Sequence, residues 1–362
     1  MRVPPHLIKS ITKPSEKMTN IYSPTPISNE LASRLRAMPK VELHVHLEGA
    51  TDAATVWELA KRNKVNLPVS TVEELEALYE FRDFNHFAEI YGLAVSCMQT
   101  ADDFAFMLDR FLAKQAEQNV RYCEVFLSAS FMLDNFPQDD VIAVLGEGIQ
   151  KGKAKYDIGL RFIPDIARHE PETRFKVLDF ILKGYEKGVF IGLGLGGIEI
   201  GYPPELFVDV YDEARRHGLR LLAHAGETVG AESVWGALTK LKVERIGHGV
   251  RAVDDPELLA YLKETQIPLE VCPHSNYRLK VTPVAQAHQM RALVEAGVYC
   301  TVNSDDPPMF STDLNSEYIL LAKQGFSWEE LWQLNLNALE ASFLAEEEKA
   351  AYRREWSHFL TS

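Results

Sequence analysis

Short apolar runs, separated by longer amphipathic stretches, make up most of this chain. Eight of these runs have the length of buried strands, and stretches with the periodicity of helices separate them. They are residues 41–46, 120–127, 158–164, 189–195, 219–223, 245–248, 268–272 and 298–304. Strands that alternate with helices indicate βαβ units and a parallel sheet. Eight such units predict an α/β protein with a (β/α)8 TIM barrel.

The first connection of this barrel is much longer than the others. Residues 52–118 have helical periodicity and contain an aromatic stripe, Phe81, Phe84, Phe87 and Tyr91, at spacings of three and four. Such a stripe is typical of core packing, but it also suits a lid over a planar aromatic ligand. We therefore predict a helical lid inserted after strand 1. Further helices from Trp328 to His358 are expected to close the barrel and cap its bottom.

The first 29 residues differ in composition from the rest of the chain. Residues 1–29 contain five prolines among polar residues and predict an extended N-terminal arm, whereas residues 30–362 show no break and predict a single domain. Met18 is an alternative position at which translation could start. No apolar run reaches the roughly 18 residues that a membrane span needs.

Charge and cysteine usage narrow the choice of partners. The formal net charge is −14 without a cluster of lysines and arginines, which argues against a nucleic-acid or anionic-membrane partner. The four cysteines are far apart, and most lie in apolar runs, as expected for free thiols in a reducing compartment such as the cytoplasm. The oligomeric state cannot be deduced from these features.

Ionisable residues follow four of the eight predicted strands. In a TIM barrel the carboxyl ends of the strands meet at one mouth, where catalytic groups lie. Three imidazoles and a carboxylate that leave one position for water match a catalytic zinc. We therefore predict one zinc ion per chain with the ligands His44, His46, His224 and Asp305. Such an ion lowers the pKa of water and supports hydrolysis at neutral pH.

Other polar residues at the same mouth are candidates for proton transfer. His248 can orient or deprotonate the water, and Asp305 can share its proton. Glu227 can donate a proton to the substrate if an apolar pocket raises its pKa. Asp306 is left to share a hydrogen bond with the substrate.

Four motifs together resemble the adenosine/adenine deaminase family of the amidohydrolase superfamily. They are HVHLEG at 44–49, HAGE at 224–227, HG at 248–249 and SDDP at 304–307, and the resemblance extends from about residue 39 to about residue 344. It implies a mononuclear zinc site and hydrolytic loss of the 6-amino group of an adenine ring. By similarity, Glu227 protonates N1, Asp306 binds N7 and the backbone of Gly197 donates to N3. His46, Glu48, Phe84 and Phe87 are the remaining expected substrate contacts.

Departures from the family pattern bear on the substrate. Adenosine enzymes commonly carry Asp where this chain has Glu48 and Ile198, and adenine-specific members tend to carry Asp-Ser-Ser where it has Gly196, Gly197 and Ile198. We expect adenosine or a 5′-modified adenosine to be preferred over adenine by at least ~10-fold in kcat/KM. The alternatives are aminodeoxyfutalosine, free adenine and, more distantly, a non-catalytic binding module with the same fold.

Overall fold

The computed structural model describes residues 21–360, and its eight strands form one sheet in chain order, β1 to β8. Neighbouring strands pair in parallel along the whole sheet. An isolated bridge between Val45 and Asp305 joins the segment that follows the last strand to the first strand. The strands are β1 Lys40–His46, β2 Val120–Ser128, β3 Gly159–Ala167, β4 Gly192–Gly196, β5 Arg220–Ala225, β6 Arg245–His248, β7 Leu269–Val271 and β8 Cys300–Val302. The predicted TIM barrel is confirmed.

Strand bounds differ most from the sequence-based prediction where turns intervene. β4 begins at Gly192 instead of residue 189, because Gly188 has a positive φ and the N–H of Val189 still bonds back to Gly184 in the preceding helix. β7 and β8 are only three residues long. Their continuations turn away from the sheet and carry polar side chains into the mouth of the barrel.

Sixteen α-helices lie among residues 21–360, and most of them follow a strand. Those around the barrel are α1 Asn29–Ala37, α2 Ala53–Asn63, α3 Val72–Leu78, α4 Phe84–Ser96, α5 Ala101–Glu117, α6 Ala129–Asn135, α7 Gln138–Lys151, α8 Arg174–Glu186, α9 Val208–Arg216, α10 Ala231–Gly236, α11 Pro256–Thr265, α12 Pro273–Arg278, α13 Met290–Glu295 and α14 Leu314–Lys323. The C-terminal pair is α15 Trp328–Ala341 and α16 Glu346–Trp356.

The inserted segment between β1 and β2 consists of the four helices α2 to α5, as the periodicity predicted. Short polar side chains begin these helices: Asp52, Thr71 and Asp83 each accept a hydrogen bond from the N–H three residues later. A side chain that satisfies a free N–H of the first turn stabilises a helix start by about 1 kcal/mol. These caps divide one long helical pattern into separate helices.

The C-terminal helices close the end of the barrel opposite the mouth. Asn335 of α15 accepts from the N–H of Val41 at 3.1 Å and donates to the carbonyl of Pro39 at 2.8 Å, at the start of β1. Phe343, which follows α15, lies under the guanidinium of Arg245 at 4.0 Å from the ring centroid. The expected cap on the bottom of the barrel is confirmed.

The N-terminal segment reaches the barrel before α1 begins. The N–H of Tyr22 donates to the carbonyl of Val284, and that of Thr25 donates to the carbonyl of Lys323. Ser28 caps α1 through the N–H of Leu31. Residues 1–20 of the predicted arm lie outside the described residues, so the division into an arm and one domain stays a prediction.

Two further features of the fold bear on the earlier expectations. All four cysteines are buried free thiols, as predicted. Between residues 21 and 360, no helix combines the length and the apolar character that crossing a membrane requires.

Candidate active site

The four predicted zinc ligands converge at the mouth of the barrel. One donor atom from each of His44, His46, His224 and Asp305 lies within 4.8 Å of all the others. Nε2 of His46 is 3.2 Å from Nε2 of His224 and 3.4 Å from Oδ1 of Asp305. Nε2 of His44 is completely buried and has no hydrogen-bond partner among residues 21–360, although a buried polar atom without a partner is costly. A cation at the centre of these atoms removes that cost.

Hydrogen bonds behind the imidazoles determine which ring nitrogen faces this centre. Nδ1 of His44 lies 2.9 Å from Oε2 of Glu270, and Nδ1 of His224 lies 3.0 Å from the carbonyl oxygen of Leu195 on β4. Each acceptor fixes the tautomer that leaves the Nε2 lone pair free for a metal. Burial also lowers the pKa of His46 to about 3, which keeps that ring neutral, as metal binding requires.

A buried ionic chain supports His44 from inside the barrel. Oε1 of Glu270 accepts a hydrogen bond from Arg245 at 2.6 Å, and Arg245 also donates to Glu124 at 2.6 Å. All three side chains are almost completely buried in the apolar barrel. Buried charges are stable only when they are paired and hydrogen-bonded, as they are here. These ion pairs therefore hold the carboxylate of Glu270 in place against His44.

Asp305 is positioned by its backbone as much as by its side chain. Its φ of 66° lies in the left-handed region, which non-glycine residues rarely adopt and which is concentrated at functional sites. Its N–H donates to the carbonyl of His44, while its own carbonyl accepts from the N–H of His46. Buried Glu42 accepts from both the N–H and the hydroxyl of Ser304. The turn after β8 is thus attached to β1.

Glu227 lies beside the metal ligands in a loop held by a second carboxylate. The buried carboxylate of Glu199 accepts hydrogen bonds from the backbone N–H groups of Gly226, Glu227, Thr228 and Val229. Glu227 itself is 13% exposed, and its Oε1 is 3.7 Å from Nε2 of His248. Burial, reinforced by the negative charges of Asp305 and Glu199, raises the pKa of Glu227 to about 8. The carboxyl is therefore protonated at neutral pH and can donate a proton.

His248 lies outside the group of four donors but next to it. Its Nε2 is 3.9 Å from Oδ2 of Asp305, and its Nδ1 is 3.3 Å from the amide of Asn276. Burial lowers the pKa of His248 to about 4, so the ring is neutral at physiological pH. Asn276 accepts from His288 through its Oδ1, so its N–H group donates to Nδ1 of His248 and the ring hydrogen lies on Nε2. A neutral imidazole of this tautomer, between two carboxyl groups, can orient a water molecule by donating a hydrogen bond to it.

Asp306 and Glu48 form the side of the mouth next to β1. The carboxylate of Asp306 fills the space over Gly49, because a Cβ at residue 49 would lie 1.5 Å from Oδ1. Glu48 is fully buried, and its Oε1 accepts from the N–H of Ser128 at 3.0 Å. Oδ1 of Asp306 and Oε2 of Glu48 have no partner within residues 21–360. Burial raises the pKa of both carboxyls, that of Glu48 to about 7.

The lid contacts the mouth through its aromatic stripe. Phe87 stacks on Phe310, in the loop after β8, with ring centroids 5.1 Å apart, and Phe81 contacts the same ring at 5.8 Å. The hydroxyl of Tyr91 lies 2.5 Å from that of Ser128 at the end of β2. The side chain of Phe84 lies outside the described part of the chain, so its substrate contact stays a prediction.

Gly197 lies at the exposed end of β4, in a conformation that suits glycine. Its φ is +83°, and a Cβ there would lie 3.1 Å from Nδ1 of His169. Its N–H donates to no acceptor in residues 21–360. A backbone donor is therefore free beside the mouth, where the sequence predicted one.

Comparisons with known proteins agree with this geometry. The profile of the adenosine deaminase family matches residues 39–357. The chain belongs to this family. It is 40% identical to an adenine deaminase of Geotalea uraniireducens over 90% of this chain and 92% of that protein, and 39% identical to one of Trichlorobacter lovleyi over 95% and 97%.

Solved structures of similar proteins share the barrel. The adenine deaminase of Arthrobacter aurescens superimposes with a TM-score of 0.85 at 30% identity, covering 90% of this chain and 100% of that one. An amidohydrolase from Burkholderia ambifaria with bound Zn gives 0.85 at 29% identity, covering 94% and 96%. The chain is thus a metal-dependent hydrolase of the amidohydrolase fold that deaminates an adenine-containing compound.

Sequence reasoning missed the carboxylates that support the site. Glu124 and Glu270 interrupt predicted strands, and a charged residue inside an apolar run is the signal that could have found them. Their shared partner Arg245 begins another predicted strand. Glu199 gives no such signal, because its partners are backbone N–H groups 27 to 30 residues away.

Proposed function

We propose that this protein is a zinc-dependent adenine deaminase, which hydrolyses the free base to hypoxanthine and ammonia. Both curated relatives named above are adenine deaminases, and so is the enzyme from Arthrobacter aurescens. The observation that carries the proposal is the fully buried carboxyl of Glu48 beside Asp306. This proposal reverses the preference for a nucleoside that the sequence alone suggested.

Zinc fits the four converging donors. Three imidazoles and one carboxylate are nitrogen and oxygen ligands of the kind that catalytic zinc uses. His44, His46, His224 and Asp305 would hold the ion, and the tautomers set by Glu270 and Leu195 present the correct nitrogens. When bound, zinc supplies Lewis acidity that lowers the pKa of a water molecule towards ~7.

The residues around the ligands then have defined tasks in the reaction. Neutral His248 orients the attacking water toward C6 through its Nε2–H, and the neighbouring carboxylate of Asp305 can take up a proton of that water. This proton passes to the 6-amino group, which leaves as ammonia, and the second water proton replaces the one that Glu227 donates. Protonated Glu227 donates a proton to N1, which makes C6 more electrophilic. Glu199 keeps Glu227 in place through four backbone hydrogen bonds.

Two groups orient the purine ring against these catalytic residues. Oδ1 of Asp306 has no partner in the described part of the chain and is available to share a hydrogen bond with N7. The free N–H of Gly197 donates to N3 on the other side of the ring. Contacts on opposite edges of the purine hold C6 toward the zinc ligands, so that binding contributes to orientation in the transition state.

The side of the mouth next to Glu48 favours a substrate without a sugar. Glu48 is anchored to the N–H of Ser128, and Tyr91 of the lid binds the hydroxyl of the same serine. By the family resemblance, the residue at position 48 reaches toward the 5′ end of a ribose. Hydrogen-bonded protein groups therefore occupy the side on which a ribose would lie. A nucleoside would have to displace these hydrogen-bonded groups, whereas free adenine leaves them intact.

A second candidate substrate is an adenosine with an apolar 5′ group. Ile198 and Ile200 follow Gly197 at the mouth and are 39% and 66% exposed, which is unusual for isoleucine. Such side chains could contact an aryl or alkyl extension that reaches out of the barrel, as in aminodeoxyfutalosine.

The location proposed for the enzyme is the cytoplasm. The support is the set of four buried free thiols, because cysteines remain reduced in that compartment. A small-molecule purine is the one partner that the site geometry requires.

A side-by-side assay of ammonia release tests the proposal. Purified zinc-loaded protein is supplied with adenine, adenosine, a 5′-modified adenosine and aminodeoxyfutalosine at matched concentrations. We expect adenine to have a kcat/KM at least ~10-fold above the others, since a misfit that leaves buried polar groups unpaired costs about that much. A higher value for a nucleoside would overturn the choice of adenine, and no release from any of them would favour the non-catalytic binding module.

A further inference from the structure

A carboxyl group that has no role in the assignments above lies at the end of β3. Asp165 is directly opposite Gly194 in the pairing of β3 with β4. Its Oδ2 lies so close to Gly196 that a Cβ on that glycine would be 2.5 Å away. The side chain of Asp165 thus occupies the space that a side chain at residue 196 would need.

This carboxyl is almost completely buried, and within residues 21–360 its one hydrogen bond comes from its own backbone N–H. Asp165 is 6% exposed, and no other residue between 21 and 360 donates a hydrogen bond to its side chain. Its neighbours are the ring of Phe126, packed against three of the zinc ligands, and the bare backbone of Gly194. A carboxyl in such surroundings is costly for folding unless a ligand satisfies it. By contrast, the buried carboxylates of Glu124 and Glu270 are both paired with Arg245.

The position of Asp165 identifies the part of the substrate that it can reach. Gly196 immediately precedes Gly197, whose N–H is proposed to face N3 of the purine. Going around the ring edge from N3, the next polar atom is N9, on the far side of C4. In free adenine this edge carries an N9–H donor, whereas in a nucleoside N9 is bonded to the sugar and has no hydrogen.

We propose that Asp165 is a specificity-determining residue whose carboxyl oxygen accepts a hydrogen bond from N9–H of adenine. An oxygen of this group can accept in either protonation state, so the contact does not depend on the charge of the carboxyl. This hydrogen bond stabilises bound adenine. A substrate with a substituent on N9 cannot form it and leaves the carboxyl of Asp165 without this donor. This inference rests on the proposed function, because it requires adenine as the substrate.

The test combines a change in the enzyme with a change in the substrate. The values of kcat and KM are measured for adenine and for 9-methyladenine, which lacks the N9–H, with the wild type, Asp165→Ala and Asp165→Asn. We expect the wild type to favour adenine by about 10- to 100-fold in kcat/KM, and Asp165→Ala to bring this ratio close to one, mainly by raising KM for adenine. Asp165→Asn should retain most of the ratio, because its amide oxygen still accepts a hydrogen bond.

A third variant tests the same contact without changing the carboxyl. In Gly196→Ala the new Cβ pushes Oδ2 of Asp165 away, and we expect the same loss of the ratio as in Asp165→Ala. Zinc content and Tm are measured for each variant, so that a folding defect is recognised. If Asp165→Ala does not fold, Gly196→Ala and Asp165→Asn still decide the question.

The outcomes separate this inference from the proposed function. A wild type that deaminates adenine best, together with an Asp165→Ala variant that keeps the wild-type ratio, overturns the role of Asp165 alone. Equal losses for adenine and 9-methyladenine indicate a structural role and also overturn it. A wild type that prefers adenosine to adenine overturns both proposals.

Discussion

Nδ1 of His44 and Oε2 of Glu270 are 2.9 Å apart, in a part of the barrel where both side chains are completely buried. Residues 226 positions apart in the chain thus form one metal-binding unit, in which the carboxylate orients the imidazole. Arg245 holds the other oxygen of Glu270, so the carboxylate cannot turn away. The strength of metal binding should therefore depend on a residue that does not touch the metal.

Replacing Glu270 by Gln tests this dependence. The change keeps the size of the side chain but removes the charge that favours the correct tautomer of His44. We expect the affinity for zinc to fall about 10- to 100-fold, as is typical when a group behind a metal ligand is lost. Competition with a chromogenic chelator measures the affinity. Glu257→Gln, on the exposed first turn of α11, is the matched control. An unchanged zinc affinity in Glu270→Gln would show that Glu270 does not orient His44.

The stoichiometry of the metal is a separate prediction. The converging donors of His44, His46, His224 and Asp305 provide one site, so elemental analysis of active protein should find one zinc per chain. Removal of zinc with a chelator should abolish ammonia release, and stoichiometric zinc should restore it. Two metals per chain, or full activity without any, would contradict the ligand assignment.

Glu227 is expected to affect the chemistry without affecting the metal. Glu227→Gln keeps the size of the side chain but cannot donate a proton to N1, so kcat should fall by ~10²-fold or more. The zinc content should remain that of the wild type. Exposed Glu186→Gln, at the end of α8, serves as the control. Near-wild-type turnover in Glu227→Gln would mean that another group is the acid.

The pKa of Glu227 makes a prediction about pH. Burial raises that pKa to about 8, so the carboxyl keeps its proton below this pH and loses it above. Because the proton is needed for catalysis, kcat/KM should be level up to about pH 8 and then fall about tenfold for each further pH unit. A pH–rate profile measures this limb. If the residual activity of Glu227→Gln declines over the same pH range, a group other than Glu227 causes the decline.

The sequence predicted what depends on local pattern and missed what depends on distant pairing. His44, His46, His224 and Asp305 follow strand-like runs, and the barrel rule alone brings them to one mouth. Asp165 stands at the end of a run as well, but no motif distinguishes it, and its significance depends on the absence of a side chain at Gly196 on the next strand. The lengths of β7 and β8 were overestimated, because apolar residues outside the ladder, Pro268 and Cys272 beside β7 and Val298 and Tyr299 before β8, extend the strand-like pattern.

Gly49 provides the sharpest test of how Asp306 is placed. The two residues come from the turns after β1 and β8, and a Cβ at residue 49 would lie 1.5 Å from Oδ1 and 2.8 Å from Cβ of Asp306. In Gly49→Ala the carboxylate of Asp306 must therefore leave its position, and with it the contact proposed for N7. We expect KM for adenine to rise about tenfold or more, while Glu227 and the zinc ligands remain in place.

Gly92→Ala, on the exposed face of α4 with no atom within 4 Å of the new Cβ, is the control. That control should retain activity and gain up to about 1 kcal/mol of stability, because alanine favours a helix over glycine. Unchanged kinetics in Gly49→Ala would mean that Asp306 does not bind the substrate from this position.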